Sequence, residues 1–216
     1  MDPCCTPDLE RGFDAAVAAR DLAAYRRHGL PVEERRLLAA LVAEGLGGQT
    51  VLDIGGGIGA IHHDLLRTGA RSVTDVDGSS AYLRAAQAEA RRQGDIHRID
   101  YRHGDFVQLA DDMEPADVVV LLRVLCCYPD MPALVHASAQ RARRSYGLIY
   151  PRSTWWMRAV AVAYDAVRPE GGSVSGPGYV HAETDIDAAV RLAGFTPVMN
   201  DATWFWRIAL YHRDAA

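Results

Sequence analysis

The residues with the clearest chemical potential lie in the run Val51-Leu52-Asp53-Ile54-Gly55-Gly56-Gly57-Ile58-Gly59. Apolar residues lead into a carboxylate, and glycines then permit a sharp turn into a helix. Glycine is needed because the turn uses positive φ and because a ligand can lie against bare backbone. Three adjacent glycines cost stability unless something needs the space. Asp53, Gly55, Gly56, Gly57 and Gly59 therefore read as a ligand loop at the carboxyl end of a first strand, where doubly wound sheets bind nucleotides. Gly55, Gly57 and Ala60 also satisfy the dinucleotide pattern G-x-G-x-x-A, so the loop alone leaves a nicotinamide cofactor open.

A second carboxylate, Asp77, ends the run Val73-Thr74-Asp75-Val76-Asp77, 24 residues after Asp53. An acidic group at this distance suits the two hydroxyls of a ribose. Ser79 is the better helix cap, which would leave Asp77 free for a ligand; Asp75 is the alternative acceptor. The tetrapeptide His103-Gly104-Asp105-Phe106 follows a third strand. Phe106 there is read either as packing on a ligand ring or as core. Next comes Leu121-Leu122-Arg123-Val124-Leu125-Cys126-Cys127-Tyr128-Pro129-Asp130. Successive residues of an extended segment point to opposite sides. One of Cys126 and Cys127 would then face the cleft while the other packs inside; equally, both are small buried hydrophobes. Neighbouring cysteines lack the usual zinc spacing, so no metal ligand set is expected, although Cys4-Cys5 could meet the second pair if the N-terminal segment folds over the cleft. His62 and His63 read as a surface pair or as helix packing. Trp155 and Trp156 read as a pocket wall or as core.

These residues need a scaffold, and the pattern supplies one. Thr50–Ile54, Ser72–Asp77, Ile99–Arg102, Ala116–Leu122 and Tyr146–Tyr150 read as strands. Helices between them start at Gly59, at the cap Ser79 and at the cap Asp130, and end near Thr68, Gln93 and Arg143. Alternation of this kind predicts a parallel sheet with helices on both faces, an α/β doubly wound fold. Phe195–Met199 and Phe205–His212 are joined by Asn200-Asp201-Ala202, and so short a link joins only antiparallel neighbours. Upstream, Thr6 and Pro7 open a helix through Leu9, Phe13, Val17 and Leu22 that ends at Gly29. Pro31 opens another, with Leu37, Leu38, Leu41 and Val42 on one face. Residues 1–46 thus read as a helical lid and 47–216 as the ligand-binding domain. The Gly-, Ser- and Pro-rich stretch from Pro169 to Gly178 reads as a loop near the cleft.

Composition narrows the partners. The net charge is −5 with no basic block, which argues against nucleic acid. Val118–Tyr128, the most apolar run, is interrupted by Arg123 and too short to span a bilayer. Met1-Asp2-Pro3 has no features of a secretion signal. A cytoplasmic protein with a small-molecule substrate, monomeric or homodimeric, is expected.

The glycine loop, Asp77, Gly104-Asp105 and the terminal strand pair together resemble class I S-adenosylmethionine-dependent methyltransferases over essentially the whole chain. The resemblance implies a Rossmann-like, mostly parallel seven-stranded sheet with a C-terminal antiparallel hairpin. It also implies S-adenosylmethionine as the cofactor: Asp53 near its cationic amino-acid end, Asp77 on the ribose, Asp105 on the adenine amino group with Phe106 on the ring, and Arg123 in the same set. Three segments are similar to magnesium-protoporphyrin IX O-methyltransferases: Val124-Leu125-Cys126-Cys127-Tyr128-Pro129, Leu148-Ile149-Tyr150-Pro151-Arg152-Ser153-Thr154-Trp155-Trp156 and Tyr179-Val180-His181-Ala182-Glu183-Thr184-Asp185-Ile186. That family places a catalytic His where this chain has Cys127, and its N-terminal catalytic Tyr has Tyr25 as the nearest counterpart. A relative acting on a different small substrate is implied, with transfer to a carboxylate or another oxygen. Cys127, Tyr128, Tyr25 and His181 are the candidates on the acceptor side. The competing readings are a non-catalytic S-adenosylmethionine-binding protein, an NAD-dependent oxidoreductase, and a thiol-based soft-metal or metalloid protein.

Overall fold

Described over residues 10–155, 157 and 179–214, the computed structural model contains the strands β1 (Thr50–Ile54), β2 (Ser72–Asp77), β3 (Ile99–His103), β4 (Ala116–Leu122), β5 (Ala142–Pro151), β6 (Phe195–Ala202) and β7 (Trp206–Arg213). They form one sheet in the order β3-β2-β1-β4-β5-β7-β6. The first five pair in parallel, and β7 pairs antiparallel with both β5 and β6. This is the class I methyltransferase arrangement. Connecting helices are α1 (Ala15–His28), α2 (Val32–Ala43), α3 (Ala60–Arg67), α4 (Ser80–Gln93), the single turn α5 (Phe106–Leu109), α6 (Met131–Gln140) and α7 (Glu183–Leu192).

Alternation along the strands builds two apolar layers. Leu52, Val119, Leu121 and Leu148 point to one face, against Leu134 and Val135 of α6 and Ile186 and Val190 of α7. Val51, Val118, Val120 and Ile149 point to the other, against Leu37 and Leu41 of α2 and Ile61 and Leu65 of α3. With both faces covered, the central strand β4 is apolar without a break from Val118 to Leu122. The ligand loop therefore leaves β1 from a rigid platform.

Four elements have the bounds read from sequence: β1, β2, β4 and α4, the last capped by Ser79, whose Oγ accepts from the Tyr82 N–H, and closed by Gly94 at φ 85°. Elsewhere the boundaries move. The cap of α1 is Asp14, whose carboxylate accepts from the N–H groups of Ala16 and Val17, so the helix expected to run from Thr6 to Gly29 is broken at Phe13 and Asp14. Val42 is exposed rather than on the buried face of α2. α6 stops at Gln140, and β5 starts at Ala142 because pairing with β4 begins there. Asn200, Asp201 and Ala202 are still paired with β7; the chain reverses at 203–205, where Thr203 N–H donates to the Trp206 carbonyl. α7, with Ile186 and Val190 one turn apart, was not anticipated. Cys4, Cys5, Thr6, Pro7, Leu9, Trp156 and the stretch from Pro169 to Gly178 lie outside the described residues.

The segment before β1 folds back over the ligand loop. Ala18 of α1 packs with Ile58 of the loop and Tyr82 of α4. The Tyr82 hydroxyl donates to Asp21 at 2.7 Å, and Arg26 pairs with the fully buried Glu89 of α4 at 2.7 Å. Ser79 Oγ donates to the Phe13 carbonyl at 2.6 Å.

Candidate active site

The carboxyl ends of β1, β2 and β4 and the turn after β3 open into a cavity of ≈ 670 Å³. Its floor is the ligand loop, from Asp53 to Ile58. Asp77, Asp105, Phe106, Cys127 and Tyr128 form one side, and Phe13, Tyr25 and Glu34 close the other. Two loop glycines are indispensable for different reasons. Gly59 sits at φ 78°, and a Cβ on it would fall 2.2 Å from His62 Nε2. Gly56 has no left-handed backbone, but a Cβ there would fall 2.4 Å from Asp75 Oδ1.

Asp53 is 1% exposed, and its Oδ2 lies 3.1 Å from His62 Nδ1. Asp77 is not free as expected. One oxygen accepts from the Gly57 N–H at 2.8 Å and the other from the Ser79 N–H at 2.7 Å. It thus pins the loop as well as facing the cavity, because Ser79 spends only its hydroxyl on capping α4. Burial pushes the Asp77 carboxyl up to about 6, against the pull of these two N–H donors. Asp105 caps α5 through the Val107 N–H, and the Tyr128 hydroxyl stands 3.2 Å from both of its oxygens. Phe106 belongs to the core, at 4% exposed, and also borders the cavity.

Arg123 is engaged from another direction. Its backbone is left-handed, at φ 63°, and its guanidinium pairs with Glu34 at 2.9 Å and Glu33 at 3.6 Å over the Trp206 ring. It joins the end of β4 to α2, so its charge is spent within the protein. Burial raises the Glu34 carboxyl to about 7 despite Arg123. Glu33 and Glu34 were not foreseen, since nothing in the local sequence shows that the first turn of α2 meets β4.

The acceptor-side candidates separate. Cys126 and Cys127 lie in a 3₁₀ turn, Leu125–Cys127, which brings their sulfurs to 3.9 Å rather than to opposite sides. The hydrogen bond between them lowers the Cys126 thiol and raises the Cys127 thiol, with burial adding to the rise. Cys127 borders the cavity, and burial disfavours its ionised form. His181 Nε2 lies 3.0 Å from each of the carbonyls of Leu125 and Tyr128. Both acceptors are carbonyls, so Nε2 carries the proton; His181 braces the turn and is not part of the cavity lining. Tyr25 borders the cavity, and burial, followed by the Asp64 charge, raises its hydroxyl. His62 and His63 are fully buried, not a surface pair, while Trp155 is 82% exposed and is neither pocket wall nor core.

Residues 51–147 match the family model described as "Methyltransferase domain". The ubiquinone biosynthesis O-methyltransferase of Alkalilimnicola ehrlichii is 35% identical over 107 residues, covering 49% of this chain and 42% of that protein. That of Methylobacterium sp. (strain 4-46) is 34% identical over 142 residues, covering 65% and 52%. The chain thus spans about half the length of the curated relatives it matches. Among solved structures, magnesium protoporphyrin IX methyltransferase from Synechocystis PCC 6803 with bound SAH superposes with a TM-score of 0.77 at 23% identity, over 97% of this chain and all of that one. A putative sarcosine dimethylglycine methyltransferase from Galdieria sulphuraria gives a TM-score of 0.70 at 11% identity, over 84% and 85%. No helix among the described residues is long and apolar enough to cross a membrane.

Proposed function

We propose, starting from a chain that carries a methyltransferase domain on the class I S-adenosylmethionine-dependent fold, that it transfers the sulfonium methyl group of S-adenosylmethionine to an oxygen of a small molecule. The observation that carries this reading is the cavity itself, in which the glycine loop, Asp77 and Asp105 meet at the carboxyl ends of β1, β2 and β3. Asp77 supplies the ribose acceptor, Asp105 and Phe106 the adenine site, and Asp53 the carboxylate facing the amino-acid end. The curated relatives are O-methyltransferases by name, which favours an oxygen acceptor. The segment 10–46 serves as the lid, since Phe13, Tyr25 and Glu34 close the cavity opposite the loop.

Methyl transfer is an in-line displacement in which the acceptor oxygen forms a bond to the methyl carbon as the carbon–sulfur bond breaks. The leaving thioether is neutral and needs no proton. The protein's work is therefore to align the two atoms and exclude water. A carboxylate acceptor needs no base; a phenol acceptor needs its proton removed. We assign that step to neither candidate: His181 is outside the cavity lining, and burial disfavours the thiolate form of Cys127. Activity with S-adenosylmethionine and a panel of carboxylates and phenols tests the reading; turnover with none of them, in a protein that binds the cofactor, would favour the non-catalytic alternative.

Two further outcomes follow at the site. Asp77 accepts ribose hydroxyls more strongly when ionised, so cofactor affinity should decline as pH falls through about 6, by about tenfold per unit at most. Calorimetry across that range reads it, and a flat profile in the wild-type chain would remove Asp77 from the ribose site. Tyr128→Phe removes a long hydrogen bond to Asp105 and should weaken cofactor binding about three- to tenfold while leaving kcat nearly unchanged. A fall in kcat of a hundredfold at unchanged cofactor affinity would instead place Tyr128 on the acceptor.

A further inference from the structure

We infer that Asp53, Asp75 and His62 form a buried site for one divalent first-row transition cation of the zinc or cobalt kind, directly beneath the ligand loop. Parallel pairing sets Asp53 beside Asp75 and Asp75 beside Tyr101, one row across β1, β2 and β3. Asp53, Asp75, His62 and His63 are each at most 1% exposed. Both oxygens of Asp75, Oδ1 of Asp53, Nε2 of His62 and the Tyr101 hydroxyl are buried without a hydrogen-bond partner. Carboxylates side by side on neighbouring strands repel, and an unpaired buried carboxylate is costly. Among the described residues only the backbone N–H of Gly56 offsets the Asp75 charge, from outside good hydrogen-bond geometry.

A dication answers each of these points. Two carboxylates and a neutral imidazole around it make an electroneutral set. One donor atom from each of the three residues lies within 4.8 Å of the others. Asp53 Oδ2 and His62 Nδ1 are already 3.1 Å apart, close to the roughly 3.3 Å between donors that share a tetrahedral zinc. A mixed oxygen and imidazole set suits zinc, cobalt or manganese better than calcium or magnesium. Tyr101, next in the row, can donate to the outer oxygen of Asp75 and hold it in place. Gly56 lies between the cavity and the pair, and any side chain on it would press against both carboxylates. The cation would tie β1, β2 and α3 together under the loop. None of this depends on methyl transfer, because the probe is the metal alone.

The test is cobalt(II) binding to the full chain carrying C4S, C5S, C126S and C127S, which removes the thiols as competing ligands. One equivalent should bind with visible d–d absorption, be displaced by zinc, and raise the melting temperature. D75N and H62Q should each weaken binding at least a hundredfold, and D75N should fold at least as stably without metal because it removes the like-charge neighbour. If the serine background does not fold, the wild-type chain decides the matter: d–d bands without thiolate charge transfer, lost in D75N, support the site. No stoichiometric uptake, or uptake undiminished in D75N and H62Q, overturns it and leaves a proton shared between the two carboxylates.

Discussion

Gly59→Ala is expected to lower stability by about 3 kcal/mol and to abolish cofactor binding. The backbone at Gly59 is left-handed, which costs a side-chain-bearing residue about 1–2 kcal/mol. The new methyl group would also land 2.2 Å from a fully buried imidazole ring, and overpacking of that kind costs about 1–3 kcal/mol. His62 cannot rotate away without leaving Asp53. For a chain of this length the combined effect corresponds to a fall in melting temperature of roughly 6–12 °C. Thermal denaturation with a parallel cofactor titration measures both. A variant as stable as the wild type that still binds would show that the loop relaxes, and that its geometry is not what the ligand reads.

Asp77→Ala is expected to weaken S-adenosylmethionine binding a hundredfold or more. The substitution strips the Gly57 and Ser79 N–H groups of their acceptor, and each buried donor left unpaired costs about 1–3 kcal/mol. It also removes the charged acceptor proposed for the ribose, whose hydrogen bonds are worth about 1.5–3 kcal/mol each. A hundredfold is about 2.8 kcal/mol, which either loss can approach alone. Asp77→Asn keeps one acceptor oxygen and should fall between alanine and wild type. Isothermal titration of the three proteins reads the order directly; equal affinities would place the ribose elsewhere.

What was legible in the sequence was what short-range chemistry dictates. Glycine, serine and aspartate punctuate β1, β2 and α4, and Pro115 and Arg123 bound β4, so their ends could be read one residue at a time. The short link near residue 200 required an antiparallel pair, although the turn itself lies three residues further on, where cross-strand pairing from Ala202 to Arg207 carries it. What was not legible depends on long-range register. The row of Asp53, Asp75 and Tyr101 exists only once three strands pair, and the burial of His62 only once α3 covers them. Arg123 looked available for a ligand because its partners, Glu33 and Glu34, lie some 90 residues away in the chain. The cysteine pair was misread through an assumption of extended backbone; a 3₁₀ turn puts the two sulfurs on the same side.

The central claim is that the glycine loop and Asp77 hold S-adenosylmethionine rather than a dinucleotide, since Gly55, Gly57 and Ala60 fit both patterns. Titration of the purified chain with S-adenosylmethionine and, separately, with NAD decides between them. The structure predicts saturable micromolar binding of S-adenosylmethionine and none of NAD. Binding of NAD, or of neither, would contradict the assignment and return the cavity to an unassigned nucleotide site.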